Sequence, residues 1–286
     1  MLAVDHNSSP LTVPPGVPAL LRDLVHEHIG IYFEDDRFDT LLEKLRERAL
    51  AHRCISYLDY YYLLKYGGAG PTEWLRVMDV FSVQETYFWR EFAQIRALVD
   101  HVVPAWFKQR QLPLHIWSAA CATGEEPASI AIALLEAGWG SHPISIHASD
   151  ASEAALAKAR AGVYRERSFR ALPPELRAKY FDSATAAGSR LRQELLLPIA
   201  YQRANLVVPA EHQHLARAPV IFCRNVFIYF SAAAIRRTLA SFAGRTPAGA
   251  HLFVGASEPL HKVTADFAVH EIGEASVYIR TFRDPS

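Results

Sequence analysis

The sequence predicts a two-domain protein in which a small all-helical domain precedes a doubly wound α/β domain. Up to about residue 95, apolar residues recur at the spacing of helices that bury one face. From about residue 112, short apolar segments alternate with helical ones, which is the pattern of a largely parallel sheet. The length of 286 residues also suits two domains, because one domain usually takes roughly 100–200 residues.

The N-terminal domain is predicted to span residues 16–95, after a disordered lead-in over residues 1–15 that is rich in serine and proline. The stretches 18–31 and 38–51 place apolar residues on one helical face. Three glycines and a proline within 67–71 then interrupt the pattern. We therefore expect several short helices that pack on one another.

The second domain is predicted to span residues 96–286. Its candidate strands are 114–117, 144–148, 220–223 and 251–255, and its candidate helices are 127–137, 152–161 and 232–242. Segments 267–271 and 277–281 are predicted to form a closing hairpin around Gly273. An insert over about 168–205, with possible short strands at 193–197 and 199–203, is predicted to be a small β-subdomain.

Charge and composition argue against several classes of function. The chain carries 30 basic and 30 acidic residues, so its balance does not favour nucleic acid or a membrane surface as the partner. No apolar run approaches the roughly 18 residues of a membrane span, and the N-terminus does not resemble a secretory signal. Neither the 3 cysteines nor the 13 histidines show metal-ligand spacing, and His212 and His214 are expected to be solvated. We expect a soluble, cytoplasmic protein without a metal, without nucleic acid and without direct membrane insertion.

The first predicted strand of the α/β domain is followed by the turn SAACATGEEP at 118–127. Such a turn is where a nucleotide-like ligand binds in an open α/β sheet, and Gly124 would let the backbone approach it. The turn has neither a G-x-G-x-x-G pattern nor a P-loop lysine. Glu125 and Glu126 would repel a pyrophosphate but tolerate the sulfonium and ammonium of S-adenosylmethionine. Alternatively, the two glutamates only offset the dipole of the next helix.

Asp150 ends the second predicted strand of this domain. An acidic residue at this place can accept hydrogen bonds from both ribose hydroxyls of a nucleoside. Alternatively, Asp150 is the N-cap of the helix that follows, and both roles are compatible.

Two further segments carry polar groups that suit a ligand site. Arg90, within QETYFWRE at 84–91, offers a planar set of donors for a carboxylate, or else forms a surface ion pair with Glu91 or Asp79. Asn225 and Tyr229 follow the strand at 220–223 in apolar surroundings, where buried polar groups need partners. Tyr229 could equally be a core aromatic residue with a satisfied hydroxyl.

Five ordered motifs resemble those of the chemotaxis receptor methyltransferases, the CheR family. They are TYFWRE at 86–91, WSAACATGEEP at 117–127, ASD at 148–150, NL at 205–206 and FCRNVFIYF at 222–230. The resemblance runs from about residue 17 to 282. It implies a helical N-terminal domain, then a Rossmann-like, S-adenosylmethionine-dependent methyltransferase domain with a small β-subdomain.

The resemblance also implies which residues form the site. The residues that match the family's cofactor contacts are Gln84, Thr86, Arg90, Glu125, Asp150, Asn205, Leu206, Arg224 and Asn225, to which the turn argument adds Gly124. Arg90 and Tyr229 match the residues beside the transferred methyl. The sequence departs from the family pattern at Gln84, Ala128 and Ser152, and none of these changes removes a charge that the reaction needs.

The implied reaction is methyl transfer from S-adenosylmethionine to glutamate side chains of a chemoreceptor, which gives glutamyl methyl esters and S-adenosylhomocysteine for sensory adaptation. Two alternatives remain: a catalytically silent module that binds the cofactor as a signal, and a methyltransferase for another substrate on the same fold. No Ser/His/Asp or Cys/His set is visible, which fits a reaction whose carboxylate nucleophile is already ionised at neutral pH.

Partner contacts are expected at two places in the chain. Lys44, Arg46 and Arg48, with Arg53 just beyond, form a basic region on the helix at 38–51 that suits the glutamate-rich helices of a receptor. The family's β-subdomain, where it binds a receptor's C-terminal pentapeptide, typically has a Gly-x-Gly loop. Residues 184–189 contain only Gly188, so we expect no pentapeptide tether.

Overall fold

The computed structural model describes residues 11–110 and 112–281. The first ten residues of the predicted lead-in therefore lie outside the described part of the chain. No helix within the described ranges is long and apolar enough to cross a membrane.

The chain divides into two compact units, of which the first ends at Phe81. This division falls before the predicted boundary near residue 95. The residues that follow belong to the second unit because Phe88 N–H donates to the Ser168 carbonyl (2.9 Å) and Trp89 N–H donates to Ser129 Oγ (3.1 Å). The segment that contains Arg90 is thereby part of the α/β unit.

The described helices of the first unit are α1 (Val17–Ile29), α2 (Phe38–Ala51), α3 (Tyr57–Tyr66) and α4 (Gly70–Phe81). Each buries an apolar stripe, such as Leu41, Leu45 and Ala49 on α2. At the start of α3, the Ser56 hydroxyl accepts Asp59 N–H while the Asp59 carboxylate accepts Ser56 N–H. This reciprocal capping box satisfies two backbone donors that the first turn leaves unpaired.

Glu73 on α4 is a buried carboxylate at the centre of a polar cluster. It accepts hydrogen bonds from Arg48 Nε (2.8 Å) and Nη2 (2.5 Å) and from the Tyr60 hydroxyl (2.7 Å), and His52 Nε2 lies 2.8 Å from it. Burial raises the pKa of the Glu73 carboxyl, but the hydrogen bonds outweigh burial and lower it. Arg48, predicted as a docking residue, holds this carboxylate within its own unit, and its contact with a receptor remains a prediction.

The α/β unit alternates strands and helices. Its described strands are β1 (Leu114–Ala119), β2 (Ile144–Asp150), β3 (Val163–Tyr164), β4 (Ser189–Arg190), β5 (Ile199–Arg203), β6 (Val220–Cys223), β7 (His251–Phe253), β8 (Phe267–Ile272) and β9 (Ala275–Arg280). Its described helices are α5 (Phe92–Ala97), α6 (Val103–Gln109), α7 (Glu125–Glu136), α8 (Glu153–Ala161), α9 (Pro174–Tyr180), α10 (Pro209–His212) and α11 (Ala232–Ala243).

Seven of the described strands form one sheet in the order β5-β2-β1-β6-β7-β9-β8. The first five strands in this order are parallel, and β9 and β8 form the antiparallel hairpin that the sequence predicts. From β1 the sheet extends through β2 on one side and through β6 on the other. In open α/β sheets this switch creates a crevice at the carboxyl ends of the central strands, where ligands bind.

Both faces of the central strands are buried. Ile116 on β1 and Phe222 on β6 belong to one apolar cluster, while Trp117 and Ile221, their neighbours in sequence, belong to another. Successive side chains point to opposite faces of a strand, so the sheet separates the two clusters. Helices cover both faces, as the doubly wound prediction requires.

His212 is buried in one of these clusters, and the expectation that it is solvated is wrong. Its ring centroid lies 5.8 Å from that of Trp117 and 5.5 Å from that of Phe242, and Nε2 lies 3.2 Å from the Leu206 carbonyl oxygen. Burial lowers the pKa of this imidazole. His214 is exposed, as expected.

The insert differs from the prediction in which segments form strands. Residues 193–197 are not a strand; they contain a 3-10 turn, Gln193–Leu195. Ile199–Arg203 is a strand, but it pairs in parallel with β2 in the main sheet, because Ile199 and Tyr201 pack against the apolar cluster of Ala148 and Leu156. The separate two-stranded sheet is formed by β3 and β4.

We predict that Glu73→Ala destabilises the helical unit by at least about 2 kcal/mol, because Arg48 and Tyr60 lose their buried acceptor. The pKa of Glu73 is lowered in the folded state. The stabilisation that its ionised carboxylate provides is therefore present at neutral pH, and it is lost as the pH falls below the ordinary pKa of 4.5 and through the folded pKa. Hydrogen exchange of α2 and α3 measures both effects. The matched control is Glu47→Ala on the exposed face of α2. Equal protection in the two variants would contradict the prediction.

Candidate active site

Residues from three separate segments meet at the carboxyl edge of the sheet. They line one cleft, here called the central cleft, whose walls include Thr86, Arg90, Ala122, Arg224 and Asn225. Four of these five were predicted as site residues, so the fold brings together motifs that are far apart in the sequence.

A second cleft, here called the adjoining cleft, shares Glu85 and Thr86 with the central cleft. Its walls also include the predicted site residues Gln84 and Glu125. Both clefts therefore border the segment that begins the α/β unit.

Asp150 fixes the turn that leaves β1. One carboxylate oxygen accepts Ala122 N–H (2.9 Å), and the other accepts Ser152 N–H (2.8 Å). The N-cap of α8 is Ser152, whose hydroxyl accepts Ala155 N–H, so the N-cap interpretation of Asp150 is wrong.

Gly124 has a different local role from the one predicted. Its φ of 93° is left-handed, and a Cβ there would lie 2.9 Å from Ala159 Cβ and 3.1 Å from the hydroxyl oxygens of Tyr164 and Tyr201. The glycine is required because the backbone conformation and these protein contacts leave no room for a side chain. A contact of Gly124 with a ligand remains a prediction.

Glu125 is buried and the Glu126 side chain is only 15% exposed, so the two glutamates do more than offset a helix dipole from the solvent. Glu125 accepts hydrogen bonds from Thr123 Oγ1 (2.6 Å) and Ser168 Oγ (3.0 Å), and Glu126 accepts one from Ser118 Oγ (2.7 Å). Burial raises the pKa of both carboxyls. A cation that binds beside them would therefore gain from carboxylates held away from water.

Arg224 connects the turns around the central cleft, and its side chain is only 2% exposed. Nη2 donates to the Arg90 carbonyl (2.6 Å) and lies 3.5 Å from Glu91 Oε2, while Nη1 lies 3.2 Å from Glu126 Oε2. Its Nε is buried and has no acceptor among the described residues. A buried guanidinium with carboxylates on two segments holds those segments at a fixed separation.

Backbone strain is concentrated at this edge. Of the six non-glycine residues with positive φ in the described chain, five lie here: Trp89, Glu91, Ala120, Ala122 and Asn225. Such conformations cost energy and persist where the surroundings impose them, often at functional sites. The central cleft is therefore formed by turns that the rest of the unit holds in unfavourable conformations.

Glu258 is a site residue that sequence reasoning missed. It is 4% exposed, and its carboxylate accepts the N–H groups of Gly255 (2.7 Å), Asn225 (2.7 Å) and Ile228 (3.2 Å). Asn225 is thereby held at a φ of 59°, and its side-chain amide donates to Glu91 (3.1 Å). The only signal in the sequence was an acidic residue just after the strand at 251–255.

Arg90 and Tyr229 are both accessible. The Arg90 guanidinium donates to the Glu85 carbonyl (2.7 Å), lies 3.9 Å from Glu91 and is 26% exposed at the wall of the central cleft. Tyr229 is 37% exposed in the turn Phe227–Tyr229 after β6, so it is not a core aromatic residue. The ion pair with Glu91 that was considered as an alternative does form, but within the site.

Six predicted cofactor contacts are not among the walls of the central cleft: Gln84, Gly124, Glu125, Asp150, Asn205 and Leu206. Of these, Gln84 and Glu125 line the adjoining cleft. The Asn205 side chain accepts Val207 N–H (3.1 Å), the Leu206 side chain is buried in the core, and Gln84 accepts a hydrogen bond from Lys158 (2.7 Å). Asn205 and Leu206 follow β5, and Ala204 N–H donates to the Asp150 carbonyl. Their contact with a ligand remains a prediction.

Comparison with known proteins identifies two matching family models. The model described as "CheR methyltransferase, SAM binding domain" matches residues 84–275, and "CheR methyltransferase, all-alpha domain" matches residues 19–82. The junction between the two matches coincides with the division of the structure after Phe81.

Similar proteins extend over most of the chain. Chemotaxis protein methyltransferase 2 of Vibrio cholerae is 32% identical over 269 residues, which cover 93% of each chain. The chemotaxis protein methyltransferase of Klebsiella aerogenes is 32% identical over 86% of this chain and 84% of its own, and that of Escherichia coli is 30% identical over 83% and 82%. The chain therefore belongs to the CheR family of S-adenosylmethionine-dependent chemotaxis methyltransferases.

Proposed function

We propose that this enzyme transfers the methyl group of S-adenosylmethionine to glutamate side chains on the cytoplasmic helices of a chemoreceptor. The composition of the central cleft carries the proposal. Arg90 provides a cation at its wall, and no histidine lines it within the described residues. Burial raises the pKa of the Cys121 thiol at the same wall, which disfavours a thiolate nucleophile. Such a cleft suits a substrate that arrives already ionised.

The residues around the clefts fit the cofactor. S-adenosylmethionine carries a sulfonium and an ammonium, for which Glu125 and Glu126 offer buried carboxylates. We assign Asp150, the acidic residue that ends β2, to accept hydrogen bonds from the ribose hydroxyls, and Arg90 to donate to a carboxylate. We assign cofactor contacts to Gln84, Thr86, Arg90, Gly124, Glu125, Asp150, Asn205, Leu206, Arg224 and Asn225; the Arg224 guanidinium also positions the turns.

The chemistry asks the protein for alignment rather than for a base. When bound, S-adenosylmethionine would supply an activated methyl group on its sulfonium; a glutamate carboxylate oxygen would form the new O–C bond to this methyl carbon in line, as the S–C bond breaks and its electron pair stays on sulfur. A glutamate has a pKa of about 4.3 and is a carboxylate at neutral pH. We assign Arg90 and Tyr229 to hold this carboxylate through their N–H and O–H donors and to exclude water. Positioning of this kind can supply roughly 7–11 kcal/mol of the barrier.

Receptor recognition is proposed to use the basic region of α2. Lys44, Arg46 and Arg53 are exposed, whereas Arg48 is held by Glu73. The docking surface is therefore defined by the three exposed cations, which complement a glutamate-rich helix.

A pentapeptide tether is not part of the proposal, because the insert offers little free strand edge. On one side, β4 pairs with β3. On its other side, the chain is bonded to residues 180–182: Asp182 N–H donates to the Arg190 carbonyl (2.8 Å), and Arg192 N–H donates to the Tyr180 carbonyl (2.9 Å). A Cβ at Gly188 would lie 2.4 Å from the Tyr164 carbonyl oxygen, so this glycine serves the β3–β4 contact. Capture of an extended peptide needs an unpaired edge.

The function is tested by transfer of labelled methyl groups to a purified receptor cytoplasmic fragment. We expect label that alkali releases as methanol, as a carboxyl ester requires. Arg90→Ala should lower kcat/KM by about a hundredfold, since it removes the aligning cation. Arg96→Ala, which removes a surface ion pair with Glu274, is the control. Normal turnover of Arg90→Ala would exclude the assigned role, and alkali-stable label would exclude the function.

Asp150→Ala should weaken S-adenosylhomocysteine binding by about 1–3 kcal/mol, through loss of the ribose hydrogen bonds and of the bond that fixes Ala122. Isothermal titration calorimetry measures this change. Asp182→Ala, an exposed acid of the insert that pairs with Arg192, serves as the control. Equal affinities of wild type and Asp150→Ala would remove Asp150 from the cofactor site.

Charge reversal at Lys44 and Arg46 should raise KM for the receptor fragment several-fold at low salt and leave S-adenosylhomocysteine affinity unchanged. The control reverses Arg236 and Arg237, two exposed residues of α11, with the same change in net charge. The docking assignment fails if both double variants have the same KM.

Titration with the C-terminal pentapeptides of receptors should give no saturable binding at micromolar concentration. Fluorescence anisotropy of labelled peptides measures it, with the receptor fragment as the positive control. Micromolar binding that a substitution within residues 184–203 abolishes would overturn the absence of a tether.

A further inference from the structure

The adjoining cleft carries a local excess of positive charge. Four cationic side chains line it: Lys158, Arg165, Arg167 and Arg170. The cleft opens into about 1120 Å³ of space, and the 30 basic and 30 acidic residues of the whole chain balance. Its charge is therefore a property of this surface and not of the composition.

Two of the four cations are held within the cleft. Arg170 pairs with Glu85 at 2.9 Å, and its guanidinium lies 3.7 Å from the centre of the Tyr87 ring. Lys158 Nζ donates to the Gln84 side chain at 2.7 Å. These contacts fix the position of both positive charges along the segment that the two clefts share.

The other two cations have no such contacts. Arg165 and Arg167 are exposed, and within the described part of the chain neither side chain forms a hydrogen bond or an ion pair. They lie two residues apart between β3 and α9, in the wall of the cleft. Each guanidinium offers five donors arranged to bind a carboxylate in a bidentate way.

The carboxylates in the cleft do not balance these charges. Glu85 is already paired with Arg170, and Glu125 is buried under hydrogen bonds from Thr123 and Ser168. Counting Lys158 and the three arginines against these two glutamates leaves a surplus of two positive charges. The surface is thus complementary to an anionic partner that brings at least two carboxylates.

We infer that the part of the adjoining cleft lined by Arg165 and Arg167 binds glutamates of the substrate helix that neighbour the one being methylated, while Gln84, Thr86 and Glu125 keep their assigned cofactor contacts. The inference rests on the proposed function, because it takes the substrate to be a helix with several carboxylates. We place the helix so that one glutamate enters the central cleft and its neighbours reach the adjoining one, because Glu85 and Thr86 line both clefts. Residues seven apart on a helix lie on one face, about 10 Å from each other.

This arrangement links recognition to the charge state of the substrate. Each methyl transfer converts a carboxylate into a neutral ester. A helix whose neighbouring glutamates are already esterified, or are replaced by glutamine, offers fewer anions to Arg165 and Arg167. The enzyme should therefore prefer substrate segments that are still largely unmodified.

The test measures binding of a receptor cytoplasmic fragment in the presence of S-adenosylhomocysteine, alongside methyl transfer. Arg165→Glu/Arg167→Glu should raise both Kd and KM for the fragment about tenfold at low salt, with kcat within about twofold of wild type and S-adenosylhomocysteine affinity unchanged. The matched control is Arg236→Glu/Arg237→Glu, which should stay within about twofold of wild type. A fragment in which glutamine replaces the neighbouring glutamates should bind wild type more weakly than the unmodified fragment does. The Arg165→Glu/Arg167→Glu variant should bind this glutamine fragment no more weakly than it binds the unmodified fragment.

Each outcome separates this inference from the proposed function. A wild-type enzyme that binds the fragment but does not methylate it would overturn the proposed function alone. Unchanged Kd in the Arg165/Arg167 variant, or an equal change in the control, would overturn the role of the cleft while leaving methyl transfer intact. Additive effects on Kd of the glutamine fragment and of the arginine substitutions would also overturn the role of the cleft. Additivity would mean that the substrate glutamates and the two arginines do not contact each other. A wild-type enzyme that neither binds nor methylates the fragment would overturn both.

Discussion

The buried guanidinium of Arg224 is the interaction on which the site depends. It sits at the end of β6 and bonds to the Arg90 carbonyl, while Glu126 at the start of α7 and Glu91 lie within 3.5 Å. Burying a charge is costly unless partners surround it, and removal of one partner leaves the others uncompensated. The same contacts that make Arg224 tolerable in the interior therefore hold three segments of the chain in one arrangement.

The strained backbone at the site follows from this constraint. Glu91 and Asn225 both adopt left-handed conformations, which asparagine tolerates but glutamate does not favour, and the Asn225 side-chain amide donates to the Glu91 carboxylate. Glu258 accepts three backbone hydrogen bonds, from Asn225, Ile228 and Gly255, and Asp150 accepts one from Ala122. Buried acidic side chains thus hold the turns, which leaves Arg90 and Tyr229 accessible for the substrate.

Much of the fold could be read from the sequence, because apolar periodicity reports burial directly. The alternation after residue 112 predicted the central strands and the closing hairpin, and the spaced motifs predicted which turns meet. Residues 199–203 were predicted as a strand of the insert but belong to the main sheet, because periodicity does not tell which strand is the neighbour. The roles of Glu73, Arg48 and Glu258 could not be predicted, because each depends on partners that are distant in the sequence. His212 was judged by its polar neighbours, although its ring packs on Trp117.

Amide hydrogen exchange of wild type and Arg224→Lys tests the central claim most directly. Lysine keeps the charge but lacks the planar set of donors that reaches several acceptors at once. If Arg224 joins the three segments, exchange should rise together in residues 89–91, 120–126 and 225–229, while α2 and α3 in the helical unit stay unchanged. Faster exchange confined to residues 225–229, or none at all, would contradict the account.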